Sequence, residues 1–336
     1  MTAERPGATA GTRSTSPVPH RGPSTAWTLG GPALIVAVTT AVALSWSGDL
    51  PDPVATHIGP TGEPDNFGPL LPHVLAPGGI VMAFGLFMWS VAYFAGRAAF
   101  VRRIAAMAAV WFAGMLMGTV LGSLALQRGL ADAADTPSTD GVVAIAFSAA
   151  SVLGVAAAYL IPGDAPQPTR APVPPGAPTL DLDPDEQVTW VRDVGQRAFL
   201  IISAVAVAGT TAMAAAFDTW GVALIGVAVA ALMAAVMRWT VVVDRRGLTV
   251  RSLLRRPRVV VPLDEVLQAS VSNVRPLVEF GGWGLRVGRR GRVGVVVRAG
   301  EALEVERTGG RVLVVTVDDA ATAAALLNSL AARSRA

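Results

Sequence analysis

No cysteine and no lysine occurs among the 336 residues, and histidine appears only three times. The missing cysteine excludes disulfides, thiolate metal sites and thiol nucleophiles. The missing lysine makes all 27 basic residues arginine, a group that never loses its proton in proteins. Charged residues of both signs are scarce, at 15% against the roughly 25% usual in soluble domains. No Ser/His/Asp set, phosphate-binding glycine loop, HExxH pair or carboxylate pair within an apolar run is present, so no enzyme is expected and no cofactor is implied. No helix-turn-helix or RNA-recognition signature accompanies the arginines, so nucleic acid is not an expected partner.

Apolar residues are abundant instead, at 52% of the chain. A bilayer core of about 30 Å needs about 20 of them in one helix. Six runs meet that requirement: Trp27–Trp46, Leu70–Ala95, Ile104–Leu126, Gly141–Ile161, Ala198–Phe217 and Trp220–Met237. None contains Asp, Glu or Arg. Runs of this length without alternation predict an α-helical integral membrane bundle of six spans in contact with the lipid bilayer. Pro32 and Pro77 are expected in the first turns of their helices, where a missing N–H is tolerated. Trp27, Trp46, Trp220 and Trp239 fall at span ends, as interfacial anchors do. The first run reads as a signal anchor rather than a cleaved signal peptide, because no small-x-small site follows it.

Arginine sets the expected orientation. The arm before the first run holds Arg5, Arg13 and Arg21, the second connection Arg97, Arg102 and Arg103, and the linker Arg170, Arg192 and Arg197. Residues 47–69 hold none, and residues 127–140 set Arg128 among Asp132, Asp135 and Asp140. This alternation predicts a plasma-membrane protein with both termini cytoplasmic. Gly114, Gly118 and Gly122 in the third run match Ala146, Ala150, Gly154 and Ala158 in the fourth at four-residue spacing. Such smooth faces let helices approach closely, within one bundle or between two copies.

The first outer loop concentrates functional side chains. Within 49–69, Asp49, Asp52, His57, Glu63 and Asp65 alternate with prolines and glycines that shape the chain. Asp52, His57, Glu63 and Asp65 are the candidate ligand-binding residues, suited to a cationic extracellular peptide. Their spacing matches no metal motif, so no metal site is assigned. His73 follows at the outer end of the second run and is not assigned as a ligand.

The same segment carries a resemblance. Leu50, Pro51, His57, Gly62, Pro64 and Asp65, placed directly after a first hydrophobic run, resemble the signature of the bacterial membrane family called domain of unknown function 1648. The resemblance covers roughly residues 27–95. Its SdpI-type immunity relatives imply protection from a secreted toxin peptide and a signal passed to a cytoplasmic regulator.

Residues 162–184 contain eight prolines and read as an extended spacer. Asp183, Pro184, Asp185 and Glu186 then predict a helix start, with Val188, Trp190, Val191 and Val194 along the membrane surface. Beyond Arg238, short β-rich segments separated by turns predict a small antiparallel β-domain closed by a helix over 318–332. VPLDEV, FGGWGLRVG and VTVDD with its helix resemble the pleckstrin-homology-like folds of bacterial membrane proteins. Residues 238–336 hold 17 arginines and 9 acidic residues. Arg245, Arg246, Arg255, Arg256 and Arg258 form a basic cluster expected to meet anionic inner-leaflet lipids.

The expected organisation is a disordered arm (1–26), a four-span region (27–161), a linker with a juxtamembrane helix (162–197), a two-span hairpin (198–237) and a cytoplasmic β-domain (238–336). A non-enzymatic sensor, immunity or scaffold protein is the expected role, and a passive transporter or channel component the alternative. Charge-free spans argue against ion coupling.

Overall fold

The computed structural model describes residues 17–59, 63–183, 186–195, 197–217, 227, 230, 237–255 and 257–335. The chain divides into two units, residues 17–164 and residues 165–336. The sixth expected span lies almost wholly outside the described residues, as do Arg256, Gly62, Pro184 and Asp185.

The first unit holds four helices long and apolar enough to cross a membrane: α1 (Arg21–Ser45), α2 (Leu70–Ala95), α3 (Ala99–Gln127) and α4 (Asp140–Leu160). A short hairpin of β1 (Val54–Ile58) and β2 (Pro64–Gly68) joins α1 to α2. Helix α1 starts earlier than expected. Its first turns carry Ser24 and Thr28, whose hydroxyls donate to the carbonyls of His20 and Ser24 at 2.9 and 2.7 Å. Pro32 therefore lies well inside the helix, just after a wide π-turn at Ala26–Gly30. Pro77 is also internal to α2.

The small-residue faces of α3 and α4 meet each other within the bundle. A Cβ on Gly114 would stand 3.2 Å from the Ala150 Cβ, and one on Gly118 would stand 3.3 Å from the Ala146 Cβ. Gly154 faces the Met107 carbonyl and the Trp111 Cβ in the same way. Side chains elsewhere face outward: Leu34, Phe87, Ile145, Val152 and Tyr159 are all more than half exposed, as suits helices solvated by hydrocarbon.

One end of the bundle is locked by Arg102, which is fully buried. Its Nη1 donates to the Gly96 carbonyl at 2.7 Å and the Arg97 carbonyl at 3.2 Å. Its Nη2 donates to the Pro162 carbonyl at 3.2 Å and to Asp164 Oδ1 at 3.0 Å. The Asp164 carboxylate also accepts the Ala99 N–H, capping α3 from a remote position in sequence. One guanidinium thus gathers the end of α2, the start of α3 and the exit from α4.

The second unit contains β3 (Trp190–Val194), helix α5 (Arg197–Phe217), strands β4 (Trp239–Asp244), β5 (Gly247–Ser252), β6 (Arg258–Val261) and β7 (Val266–Val274), and the short helix α6 (Pro276–Phe280). Strands β8 (Gly284–Val287), β9 (Val293–Val296), β10 (Gly300–Arg307) and β11 (Arg311–Thr316) follow, and helix α7 (Ala320–Arg333) closes the unit. The strands form one sheet in the order β3-β4-β5-β6 and another in the order β7-β10-β11-β9-β8. The second sheet is mixed rather than antiparallel, because β9 runs parallel to β11.

Two expectations for residues 162–197 are corrected. The juxtamembrane helix is a strand: β3 pairs with β4 from Trp190↔Val243 to Val194↔Trp239. Trp190 and Trp239 are buried in this unit, so Trp239 is a core residue rather than an interfacial anchor. The proline-rich stretch is a strap laid on the β unit rather than a free spacer. Proline lacks an N–H but keeps its carbonyl, and α7 supplies the donors. Asn328 Nδ2 donates to the Pro178 carbonyl at 2.9 Å, Ser329 Oγ donates to the Leu180 carbonyl at 2.8 Å, and Arg333 donates to the carbonyls of Asp183 and Glu186.

The strap is also held by a buried ion cluster. Glu265 Oε2 accepts from Arg307 at 2.5 Å and from Arg311 at 3.0 Å, and Oε1 accepts the Gln167 N–H at 3.0 Å. Burial alone would raise the Glu265 carboxyl, but the Arg307 hydrogen bond, the Gln167 N–H and the charges of Arg307 and Arg311 outweigh it and hold the carboxyl below its ordinary range. The stabilisation is therefore complete above the ordinary carboxyl range and is lost as pH falls through the lower folded value. Glu265→Ala is expected to lower the stability of this unit by about 3–5 kcal/mol, since two largely buried guanidinium groups lose the carboxylate they share. Thermal unfolding of the full protein in detergent, with amide exchange at Gln167 across the acid range, checks both statements.

Candidate functional site

The end of the bundle remote from Arg102 is built around one side chain. Gln127 ends α3, about 37 Å along the helix from Arg102 at 1.5 Å per residue. It is fully buried. Its Oε1 accepts the Ala55 N–H at 2.8 Å and its Nε2 donates to the Ala55 carbonyl at 3.1 Å. The amide thus pairs with β1 as a neighbouring strand does. The hairpin is thereby seated on the bundle, and Val54 enters the apolar core with Ala43, Val74, Met117 and Leu124.

A second tie comes from Arg128. Its Nη2 meets Asp49 Oδ2 at 3.0 Å, its guanidinium lies 4.9 Å from the centre of the Trp46 ring, and the Gly129 N–H donates to the Asp49 carbonyl at 2.7 Å. The exits of α1 and α3 are joined by these contacts.

Further out along the hairpin, His57 Nδ1 and Asp65 Oδ1 lie 2.6 Å apart, both substantially exposed. Thr56 donates to the Asn66 carboxamide oxygen at 3.1 Å, and the Gly59 N–H donates to the Glu63 carbonyl at 2.7 Å. A Cβ on Gly59 would come within 2.8 Å of Asp65 Oδ2, so a larger residue there would push the Asp65 carboxylate aside.

Beside the hairpin base lies an open cleft of about 500 Å³, lined by Pro51, Asp52, Pro53, Phe67 and residues 131–134. Phe67 leaves 41% of its surface exposed there. Asp132 Oδ1 accepts the Ala134 N–H at 2.9 Å and caps the single 3-10 turn Ala133–Asp135. An apolar ring between two carboxylates suits a ligand that is cationic and partly apolar.

The four candidate residues are not brought into one site. Asp52 lines the cleft, His57 and Asp65 pair on the hairpin, and Glu63 is exposed near its tip. Among the described residues no three His, Asp or Glu side chains gather where a metal ion would need them. His73 sits on the first turn of α2, with its Nε2 buried and without a hydrogen-bond partner among the described residues. Sequence reasoning missed Gln127, Phe67 and the 131–134 turn. The signal available was a lone amide directly after the charge-free run Ile104–Leu126, since such a group needs a partner.

The basic cluster also separates. Arg245 and Arg246 form the turn between β4 and β5, whereas Arg255 and Arg258 flank the turn between β5 and β6. These turns lie at opposite ends of a six-residue strand, about 17 Å apart at 3.4 Å per residue. Arg256 lies outside the described residues.

Residues 34–82 match the family described as Domain of unknown function (DUF1648), a range running from within α1 through the hairpin into α2. No curated protein and no solved structure matches the chain.

Gln127→Leu leaves the Ala55 N–H and carbonyl unpaired in a buried setting. It is expected to loosen the hairpin by about 2–6 kcal/mol, at about 1–3 kcal/mol for each unpaired group. Limited proteolysis between residues 55 and 66 is expected to accelerate accordingly, with the four helices retained by circular dichroism.

Proposed function

We propose that the chain is a non-enzymatic, multi-pass plasma-membrane sensor whose acidic outer cleft receives a cationic peptide and whose inner β unit reports or anchors. The observation that carries this reading is the seating of the hairpin on the bundle through Gln127, which gives an exposed loop the fixed geometry a receptor site needs. Charge supports it: the segments around that end carry Asp49, Asp52, Glu63, Asp65, Asp132, Asp135 and Asp140 against Arg128 alone. The likeness of the first outer loop to SdpI-type immunity proteins points to a toxin-like peptide and to a cytoplasmic regulator as partner. The β unit, with its two sheets and closing helix, is read as pleckstrin-homology-like.

The reading includes two further spans over 197–237, with both termini cytoplasmic. The pairing of Val194 with Trp239 supports this. The chain leaves and re-enters the sheet at one point, so a segment that crosses the membrane between them crosses an even number of times. The arginine distribution favours the β unit on the inner side.

Because the chain has no cysteine, single cysteines report topology without background. In intact cells Glu63→Cys is expected to react with a membrane-impermeant maleimide and Arg246→Cys only after permeabilisation; the reverse pattern would sink the orientation. Asp52→Asn with Asp132→Asn is expected to weaken binding of an amphipathic Arg/Leu test peptide to the reconstituted protein by about five- to tenfold at low salt, and less at high salt. Unchanged binding, or no binding by the parent protein, removes the peptide reading.

A further inference from the structure

We infer that the β unit inserts an apolar tip, Leu253–Leu254, into the anionic bilayer surface beside the point where residues 197–237 leave and rejoin the sheet. The inference rests on the reading of 197–237 as a membrane hairpin and adds a lipid-binding surface to it.

Position comes from the register. Ser252 is the Cα partner of Trp239, and Trp239 is the partner of Val194. The turn that follows Ser252 therefore lies at the sheet end from which α5 departs. The Leu253 N–H donates to the Arg238 carbonyl at 2.9 Å, which fixes the turn against the residue where the chain returns. At this end Leu253 and Leu254 are 62% and 58% exposed, whereas the neighbouring sheet residues Trp239, Val241, Leu248 and Val250 are buried. Two adjacent leucines on a turn of a folded domain have no role in its core. The backbone at Arg255 is left-handed, with φ 62°, and so closes the turn beyond them.

Charge selects the occupant. Arg238, Arg251, Arg255 and Arg258 surround the tip, and none of them makes an ion pair among the described residues. The acid nearest in register, Asp193, accepts the Thr240 hydroxyl at 2.7 Å. An apolar tip ringed by unpaired arginines matches a leaflet of anionic headgroups over hydrocarbon, with leucines below the phosphates and guanidinium groups at their level. The arrangement is also continuous with the apolar segment that adjoins it.

A second tip extends the same face. Helix α6 exposes Leu277 and Val278 to 65% and 63%. The strand after it begins at Gly284, where a Cβ would stand 3.1 Å from the Met237 Cε. Met237 is the residue before Arg238, so both tips flank the same re-entry point. Arg245 and Arg246 stand at the far end of β4 and take no part.

The test uses the full-length protein in phosphatidylcholine vesicles with and without phosphatidylglycerol, carrying an environment-sensitive nitrobenzoxadiazole label on single cysteines. Leu254→Cys and Leu277→Cys report the tips, Arg246→Cys the far end, and Val205→Cys on α5 the membrane hairpin. Lipids carrying a doxyl quencher on the acyl chain are expected to quench the labels at 205, 254 and 277 severalfold more than the label at 246. Arg255→Gln with Arg258→Gln is expected to reduce quenching at 254 only in vesicles that contain phosphatidylglycerol. Quenching at 205 without excess quenching at 254 overturns the tip and leaves the hairpin standing. Failure to quench 205 overturns the hairpin and the tip together, and quenching at 254 but not at 277 overturns the second tip.

Discussion

A backbone N–H or carbonyl withdrawn from water costs about 1–3 kcal/mol if it stays unpaired, and this requirement governs where non-helical chain can sit in this protein. Within the four helices the backbone satisfies itself. The hairpin does not, because β1 is half buried and β2 covers only one of its edges. Gln127 supplies the missing neighbour with one carboxamide, which holds both a donor and an acceptor at the spacing of a strand. The second unit repeats the device. Buried Asn328 accepts the Ala269 N–H at 2.8 Å and donates to the Ala269 carbonyl at 2.9 Å on the edge strand β7, and its second proton reaches the Pro178 carbonyl. Both the seating of the hairpin beside the cleft and the closure of the β unit depend on these two amides.

Arginine serves the same requirement elsewhere, which changes the meaning of the chain's basic character. A guanidinium offers five donors in a planar fork, so one side chain can hold several carbonyls. Arg102 does this in the bundle. Arg335 does it in the β unit, bonding the carbonyls of Ala171, Leu263 and Val266. Arg292, Arg298, Arg307 and Arg311 are tied to carboxylates. Much of the excess positive charge in residues 238–336 is therefore internal mortar. The arginines left to meet a partner are fewer, and Arg238, Arg251, Arg255 and Arg258 are among them.

The first four hydrophobic runs were legible because length and the lack of charge decide membrane insertion almost alone, and the meeting of Gly114 and Gly118 with Ala150 and Ala146 followed from four-residue spacing. Helix α1 was harder to place: Ser24, Thr25 and Thr28 look hydrophilic in sequence, yet the hydroxyls of Ser24 and Thr28 bond back to their own helix. Strand β3 was misread because Val188, Val191 and Val194 fall at helical spacing, and the partner that makes it a strand lies beyond two long apolar stretches. The strap was misread because proline content reports missing donors and says nothing about carbonyls that accept. Arg245 and Arg255 look like neighbours in sequence, but the three-stranded meander β4-β5-β6 sends its two turns to opposite ends. Of the candidate ligand residues, Asp52 lines the cleft. The cleft it lines needed residues 131–134, which only the return of α3 brings near.

The strap imposes an order on biosynthesis. Pro178 and its partner Asn328 are 150 positions apart, and Leu180 and Ser329 are 149 apart. While a ribosome makes this chain, residues 165–189 emerge before both later apolar stretches and before every strand of the two sheets of this unit. Residues 178–183 then wait for their partners until α7 follows. A nascent chain halted between Phe217 and Trp239 would present a proline-rich ribbon and an unpaired strand to chaperones and proteases, after all four helices of the first unit have been made.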